Sequence, residues 1–131
     1  MREIKFRGKR RDGYGWVYGS LDSSDVVPRI LRMEEIGEYG TRHPEKYEVL
    51  PSSVGEYTGL KDSDGNEIYE GDLIRAHELL FPHSIGVVRY FDSRTSFFID
   101  AGDGDVNDLT CDDELHVVGN IYDNPDMIDG Q

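Results

Sequence analysis

The stretch from Glu56 to Ile74 constrains this chain more than any other. Tyr57 and Leu60 on one side, and Ile68 and Tyr69 on the other, flank the turn sequence Asp64-Gly65-Asn66. Glu70-Gly71-Asp72 then resets the chain before a new apolar run at Leu73-Ile74. Gly and Asn tolerate the positive φ of a tight turn, so the segment predicts a β-hairpin leading into a further strand. Fifteen Gly and five Pro cut the 131 residues into short pieces, which suits strands and turns better than long helices.

The flanking regions carry the same signal. Ile4-Lys5-Phe6-Arg7 alternates apolar and charged residues, a strand with one buried face. Residues 8–13 form a basic turn, and Tyr14 to Leu21 is aromatic and β-prone, a second strand pairing back on the first. Residues 22–46 are the ambiguous part. Ile30, Leu31, Met33 and Ile36 permit a helical stripe, but flanking glycines favour a strand over 28–39, followed by polar loop to Lys46. Tyr47 to Leu50 is a short strand stopped by Pro51, with one helical turn behind the proline. Ile85–Phe91 and Ser96–Asp100 flank a polar turn and form a second hairpin, followed by an acidic loop over 101–113. Glu114–Tyr122 is the last strand, and residues 124–128 make a terminal turn. The strand order predicts a mainly β protein: a small SH3-like barrel in the carboxy-terminal part (56–131), with an additional amino-terminal β lobe (1–55).

Composition narrows the function classes. The net charge is −13, unevenly spread: residues 1–11 hold six Lys or Arg against Glu3, whereas from Asp92 onward eleven acids face only Arg94. A strongly acidic field repels phosphate at long range, which argues against general nucleic-acid binding. The basic amino end is expected to pair with acidic surface of its own or a neighbouring chain, which would permit a homo-oligomer. A single cysteine, Cys111, leaves no internal disulfide and fits a reducing cytoplasm. No window has the apolar length of a membrane span.

Five blocks in order carry a resemblance: Arg2 to Arg7, Tyr47 to Pro51, Val54 to Asp62, Glu67 to Asp72, and Val118 to Pro125. In sequence and spacing they resemble the YopX family, small proteins carried by phages and prophages. The resemblance implies a mainly β fold, the host cytoplasm as location, and no activity whose catalytic residues could be carried over. The residues that carry it in the middle and at the end are Tyr57, Thr58, Gly59, Leu60, Asp62, Gly65, Ile68, Tyr69, Gly71, Asp72, Gly119, Asn120, Asn124 and Pro125. Its glycines, with Gly55 and Pro125, are explained by backbone geometry at turns and bulges.

Chemistry-bearing candidates are few. Asp103, Asp105, Asn107 and Glu114 fall at calcium-loop positions one, three, five and twelve, but Asp108 stands where that loop needs glycine, so chance spacing is preferred. Cys111, His116, His77 and His83 lack the close pairing of structural zinc ligands. Acidic neighbours raise a thiol pKa, so Cys111 is expected to be inert. There is no GxGxxG or Walker-type loop, and no cofactor is expected. Tyr14, Trp16 and Tyr18 alternate and would share one strand face; the preferred expectation is that they pack a core. If exposed, they become the leading binding site, with Arg7 beside them. The leading expectation is therefore a non-enzymatic acidic interaction module that acts on a host or phage protein, itself basic. The alternative is a nucleotide-binding or sequestering protein, and an enzyme ranks last.

Overall fold

The computed structural model describes residues 4–36, 41–76, 85–91, 96–100, 106–109 and 114–127; for 33–36, 41–44, 76, 91 and 106–108 it describes the backbone alone. The described residues are mainly β, in antiparallel sheets, with single 3₁₀ turns at Pro51–Ser53 and Pro125–Met127. The chain divides into two compact units, the first ending at Tyr57 and the second beginning at Thr58.

The first unit contains β1 (Phe6–Lys9), β2 (Trp16–Asp22), β3 (Arg29–Ile36), β4 (Thr41–Glu48) and the start of β5 (Gly55–Lys61). Each strand pairs with the next through β4, and β1 also pairs with Gly55 and Glu56 of β5. Side chains alternate across a strand, so one face of each strand supplies the interior. Val17, Ile30 and Val49 form that interior, covered by Phe6, Leu21, Tyr47 and Val54. The ambiguous segment is a strand, as favoured. The polar loop expected before Lys46 is instead β4, paired with β3 from Arg29↔Glu48 to Ile36↔Thr41. Its stretch from Thr41 to Lys46 holds no large apolar residue, so backbone hydrogen bonds to β3 make it a strand and side-chain burial does not. Pro44 is tolerated because β4 is an edge strand.

The second unit contains the rest of β5, then β6 (Glu67–Tyr69), β7 (Asp72–Ala76), β8 (Ile85–Phe91), β9 (Ser96–Asp100), β10 (Val106–Asp108) and β11 (Leu115–Asn120). β6 lies beside β5 as the predicted hairpin, and β7 to β11 form a sheet in the order β10-β9-β8-β7-β11. Its strands keep the order of a small barrel, without closure between β10 and β11 among the described residues. β10 is a further departure, a short strand inside the expected acidic loop and paired with β9. Ile68, Ile74, Val88, Phe97, Ile99 and Leu115 form the core. Burying each aliphatic side chain contributes about 1.5–3 kcal/mol. No helix among the described residues is long and apolar enough to cross a membrane.

In the first unit the backbone approaches closely at Gly19, where an added Cβ would collide with the Leu31 carbonyl oxygen on β3. Backbone cannot retreat as a flexible side chain can. Gly19→Ala is therefore expected to destabilise the protein by about 1–3 kcal/mol in urea unfolding, and an unchanged midpoint would refute the packing at this crossing.

Candidate functional site

Strand parity separates the aromatic residues of the β1–β2 hairpin from the core. Val17 is buried, so Trp16 and Tyr18 project from the other face of β2. The register places Lys9 opposite Trp16 and Arg7 opposite Tyr18. The Arg7 guanidinium lies 4.8 Å from the Trp16 ring centroid and the Lys9 ammonium 5.6 Å from it. At the other end of β1, the Lys5 ammonium stands 5.4 Å over the Tyr57 ring. Arg7 is buried, Trp16 is half-buried, and Tyr18 is 43% exposed. Cation–π contacts of this kind are worth about 0.5–2 kcal/mol each and hold the rings in place. The preferred expectation, an aromatic stripe inside a core, does not describe these residues: in β2 the core position belongs to Val17.

Tyr14 does not join that face. It lies in the turn before β2, is 79% exposed, and sits between Gly13 and Gly15, whose φ values are +87° and +95°. Arg10 N donates to Gly15 O (2.8 Å) and Gly13 N to Arg10 O (3.2 Å), which closes the turn. Asp12 accepts from Tyr14 N at 3.1 Å and from Arg10 Nη2 at 2.6 Å. The Arg10 guanidinium is 5.4 Å from the Tyr14 centroid and 4.4 Å from that of Tyr47, and Arg32 is 5.3 Å from Tyr47. Arg32 Nη2 also donates to the Tyr47 hydroxyl at 3.2 Å. Arg10 and Tyr47 were not among the expected site residues. They meet because Arg10 bridges Val49 across the sheet, a pairing that neither local sequence announces.

The polar residues and glycines that carry the family resemblance serve the backbone. Asp62, buried after β5, accepts from Val117 N (2.9 Å), Asn66 N (2.8 Å), Asp64 N (2.9 Å) and Asn66 Nδ2 (3.2 Å). One carboxylate thus closes the β5–β6 turn and ties it to β11. Ser63 reinforces the tie: its N donates to Leu115 O at 2.8 Å, and its Oγ accepts from Leu115 N at 3.1 Å. Thr58 Oγ1 donates to Ile68 O at 2.8 Å, and buried Asp72 accepts from Tyr69 N at 2.7 Å. Gly59, Gly65 and Gly71 all have positive φ. A Cβ at Gly119 would come within 2.6 Å of Asn124 Oδ1, beside a bulge in β11. Asn120 Oδ1 accepts from Tyr122 N (2.9 Å) and Asp123 N (2.8 Å), and Asn120 O from Asn124 N (2.8 Å), which sets the turn ahead of Pro125.

Burial opposes the charge on Asp62, yet the hydrogen bonds from Val117, Asn66 and Asp64 outweigh it and hold its pKa below the ordinary Asp value. His116 has Asp64 Oδ2 at 3.0 Å from Nδ1 and Glu114 Oε2 at 3.0 Å from Nε2. Only the imidazolium donates from both nitrogens, so the two hydrogen bonds raise its pKa, Asp64 contributing first and Glu114 next. Glu114, the last residue of the calcium-loop pattern, is therefore engaged with His116. Asp103 and Asp105 lie outside the described residues, as do His77, His83 and Cys111, and only the backbone of Asn107 is described. Among the described residues no group of three or more His, Cys, Asp or Glu is arranged to hold a metal ion.

The fold and these surfaces define a mainly β protein of two compact units, with turns locked by buried carboxylates and by side-chain amides, and an outward cation–aromatic face on the first unit. A family model described as YopX protein matches residues 5–129, and the chain belongs to that family. It is similar in fold to the crystal structure of protein EF1440 from Enterococcus faecalis, with a TM-score of 0.61 and 22% identity over 98% of this chain and 99% of that one. No match is found among curated proteins.

The two pKa shifts act in opposite directions. The raised His116 pKa stabilises the fold fully below its unfolded value of 6.5, and this contribution is lost as pH rises through the folded value. Arg75, opposite His116 on β7, is the like charge facing it and subtracts from the effect. The lowered Asp62 pKa stabilises above 3.8 and is lost as pH falls through the folded value. The urea midpoint should therefore decline as pH is raised from below 6.5 to the alkaline side of neutrality, and His116→Gln should flatten that limb alone. Asp62→Ala should cost about 2–4 kcal/mol at neutral pH, because it strands donors of the turn and of β11. An identical pH profile in the His116 variant would refute the clasp.

Proposed function

We propose that the protein is a non-enzymatic interaction module that acts on a host or phage protein, with the outward face of β1–β2 as its contact surface. The observation that supports this is the pair Trp16 and Tyr18, turned away from Val17, with Lys9 beside Trp16 and the buried Arg7 against its ring. Tryptophan, tyrosine and arginine are the residues in which binding energy concentrates at protein interfaces. Trp16 already lies against Arg7 and Lys9, so less of its side-chain entropy remains to be lost on docking. The net charge of −13 favours a partner whose overall charge is positive. It acts on the encounter rate more than on the complex once formed.

The face offers no paired nucleophile and base among its described side chains, which are cations and rings, and a recognition role suits it better than chemistry. The other reading, a small-ligand binder, draws on the separate stack around Arg10.

Capture of partners by the tagged full-length chain from phage-infected host cells tests the proposal. Trp16→Ala with Tyr18→Ala should weaken the principal partner by about 30-fold or more, and raised salt should slow association with the wild type. Equal capture by wild type and variant would overturn the assignment of this face. Association that does not respond to salt would overturn the charge argument.

A further inference from the structure

Tyr14, Arg10, Tyr47 and Arg32 form an alternating stack of rings and guanidinium groups at the closed end of the β1–β2 hairpin, apart from the Trp16 face. Arg10 is held there by the two rings and by Asp12, which accepts from its Nη2, while among the described residues its buried Nε has no hydrogen-bond partner. The last member, Tyr14, is the most exposed ring of the hairpin, yet its position is set by the backbone. Positive φ on both sides and the hydrogen bond from Tyr14 N to Asp12 define the turn. An added Cβ at Gly13 or Gly15 would have nothing within 4 Å, so neighbouring atoms do not require glycine there; the left-handed backbone that aims Tyr14 does.

We propose that this stack is a recognition site for a nucleoside monophosphate. The base continues the series by stacking on the open side of Tyr14, and the phosphate lies beside Arg10, one ring away. Stacking accepts any base, because every base has a π face, and a neighbouring guanidinium suits phosphate. Arg32 fixes Tyr47 from its other contact and adds positive charge to the site. Among the described residues, carboxylates nearby include Asp12, on Arg10, and Glu45, 3.4 Å from the Tyr47 hydroxyl. They limit how much negative charge the site accepts. The net charge of −13 sets the same limit at longer range. A ligand with one phosphate meets it, whereas a polynucleotide accumulates repulsion along its length.

The experiment uses the full chain, titrated by NMR with adenosine 5′-monophosphate, adenosine, inorganic phosphate and a phosphotyrosine peptide. The mononucleotide should bind more tightly than either of its parts, with shifts centred on residues 10–15 and 47. Tyr14→Ala should weaken it by about ten-fold or more, and Tyr14→Phe should restore it. Tyr14 is exposed, so these variants keep the fold. Affinity no better than phosphate alone, no loss in Tyr14→Ala, or a clear preference for the phosphopeptide would each overturn the proposal. None of these results depends on whether the Trp16 face captures a protein partner.

Discussion

The carboxylate of Asp62 is the constraint on which the second unit depends. It is buried, and burial of a charge is costly unless donors surround it. Here the donors come from two places at once, the β5–β6 turn and the middle of β11. Residues more than fifty positions apart are therefore fixed by one side chain. Ser63 and the Asp64–His116 contact are further ties across the same junction. Asp72 repeats the device on a smaller scale by holding Tyr69 N at the entry to β7. A turn locked in this manner fixes the register of its strands, and register decides which side chains face inward.

Register has a different consequence in the first unit. One residue of slip in β2 would exchange Val17 for Trp16 and Tyr18 at the interior. The small size of Gly8 and Gly19 on the inward face of β1 and β2 lets Val49 and the Leu31 carbonyl approach. That closeness leaves no room for a tryptophan there. The large rings are thus placed outward by packing, and the cations of β1 settle on Trp16 because Lys9 and Arg7 share its face.

Much of the fold was legible in the sequence because turn chemistry is local. Asp64-Gly65-Asn66 and Glu70-Gly71-Asp72 announce their turns through residues whose backbone preferences are intrinsic, and the hairpin of Ile85–Phe91 with Ser96–Asp100 reads from its apolar runs. β4 and β10 were hidden for the same reason in reverse. Each is mostly polar or acidic and is a strand because a neighbour offers a ladder, information that lies elsewhere in the chain. The Tyr14–Trp16–Tyr18 alternation assumed that the strand reached Tyr14. Gly15 ends the regular alternation and sends that ring to Arg10 instead. The union of Arg10 with Tyr47 is a contact across the sheet, and no spacing rule within either segment encodes it.

The two halves of this chain therefore divide labour in a way that charge makes intelligible. The residues shared with the YopX pattern between Tyr57 and Asp72, and again from Gly119 to Pro125, have their polar groups engaged in holding turns, and a group so engaged has little capacity left for a ligand. On the proposed reading, recognition falls instead to surfaces where rings and cations meet. These gather in the first unit, where arginine and lysine are concentrated in an otherwise acidic protein. An acidic field around a small cationic surface works as a filter. It repels extended polyanions, which would meet many carboxylates, while short-range stacking and hydrogen bonding still operate for a compact ligand or a shaped protein surface. On the proposed reading, selectivity arises from where the positive charges are placed, and the β1–β2 hairpin places several of them on rings.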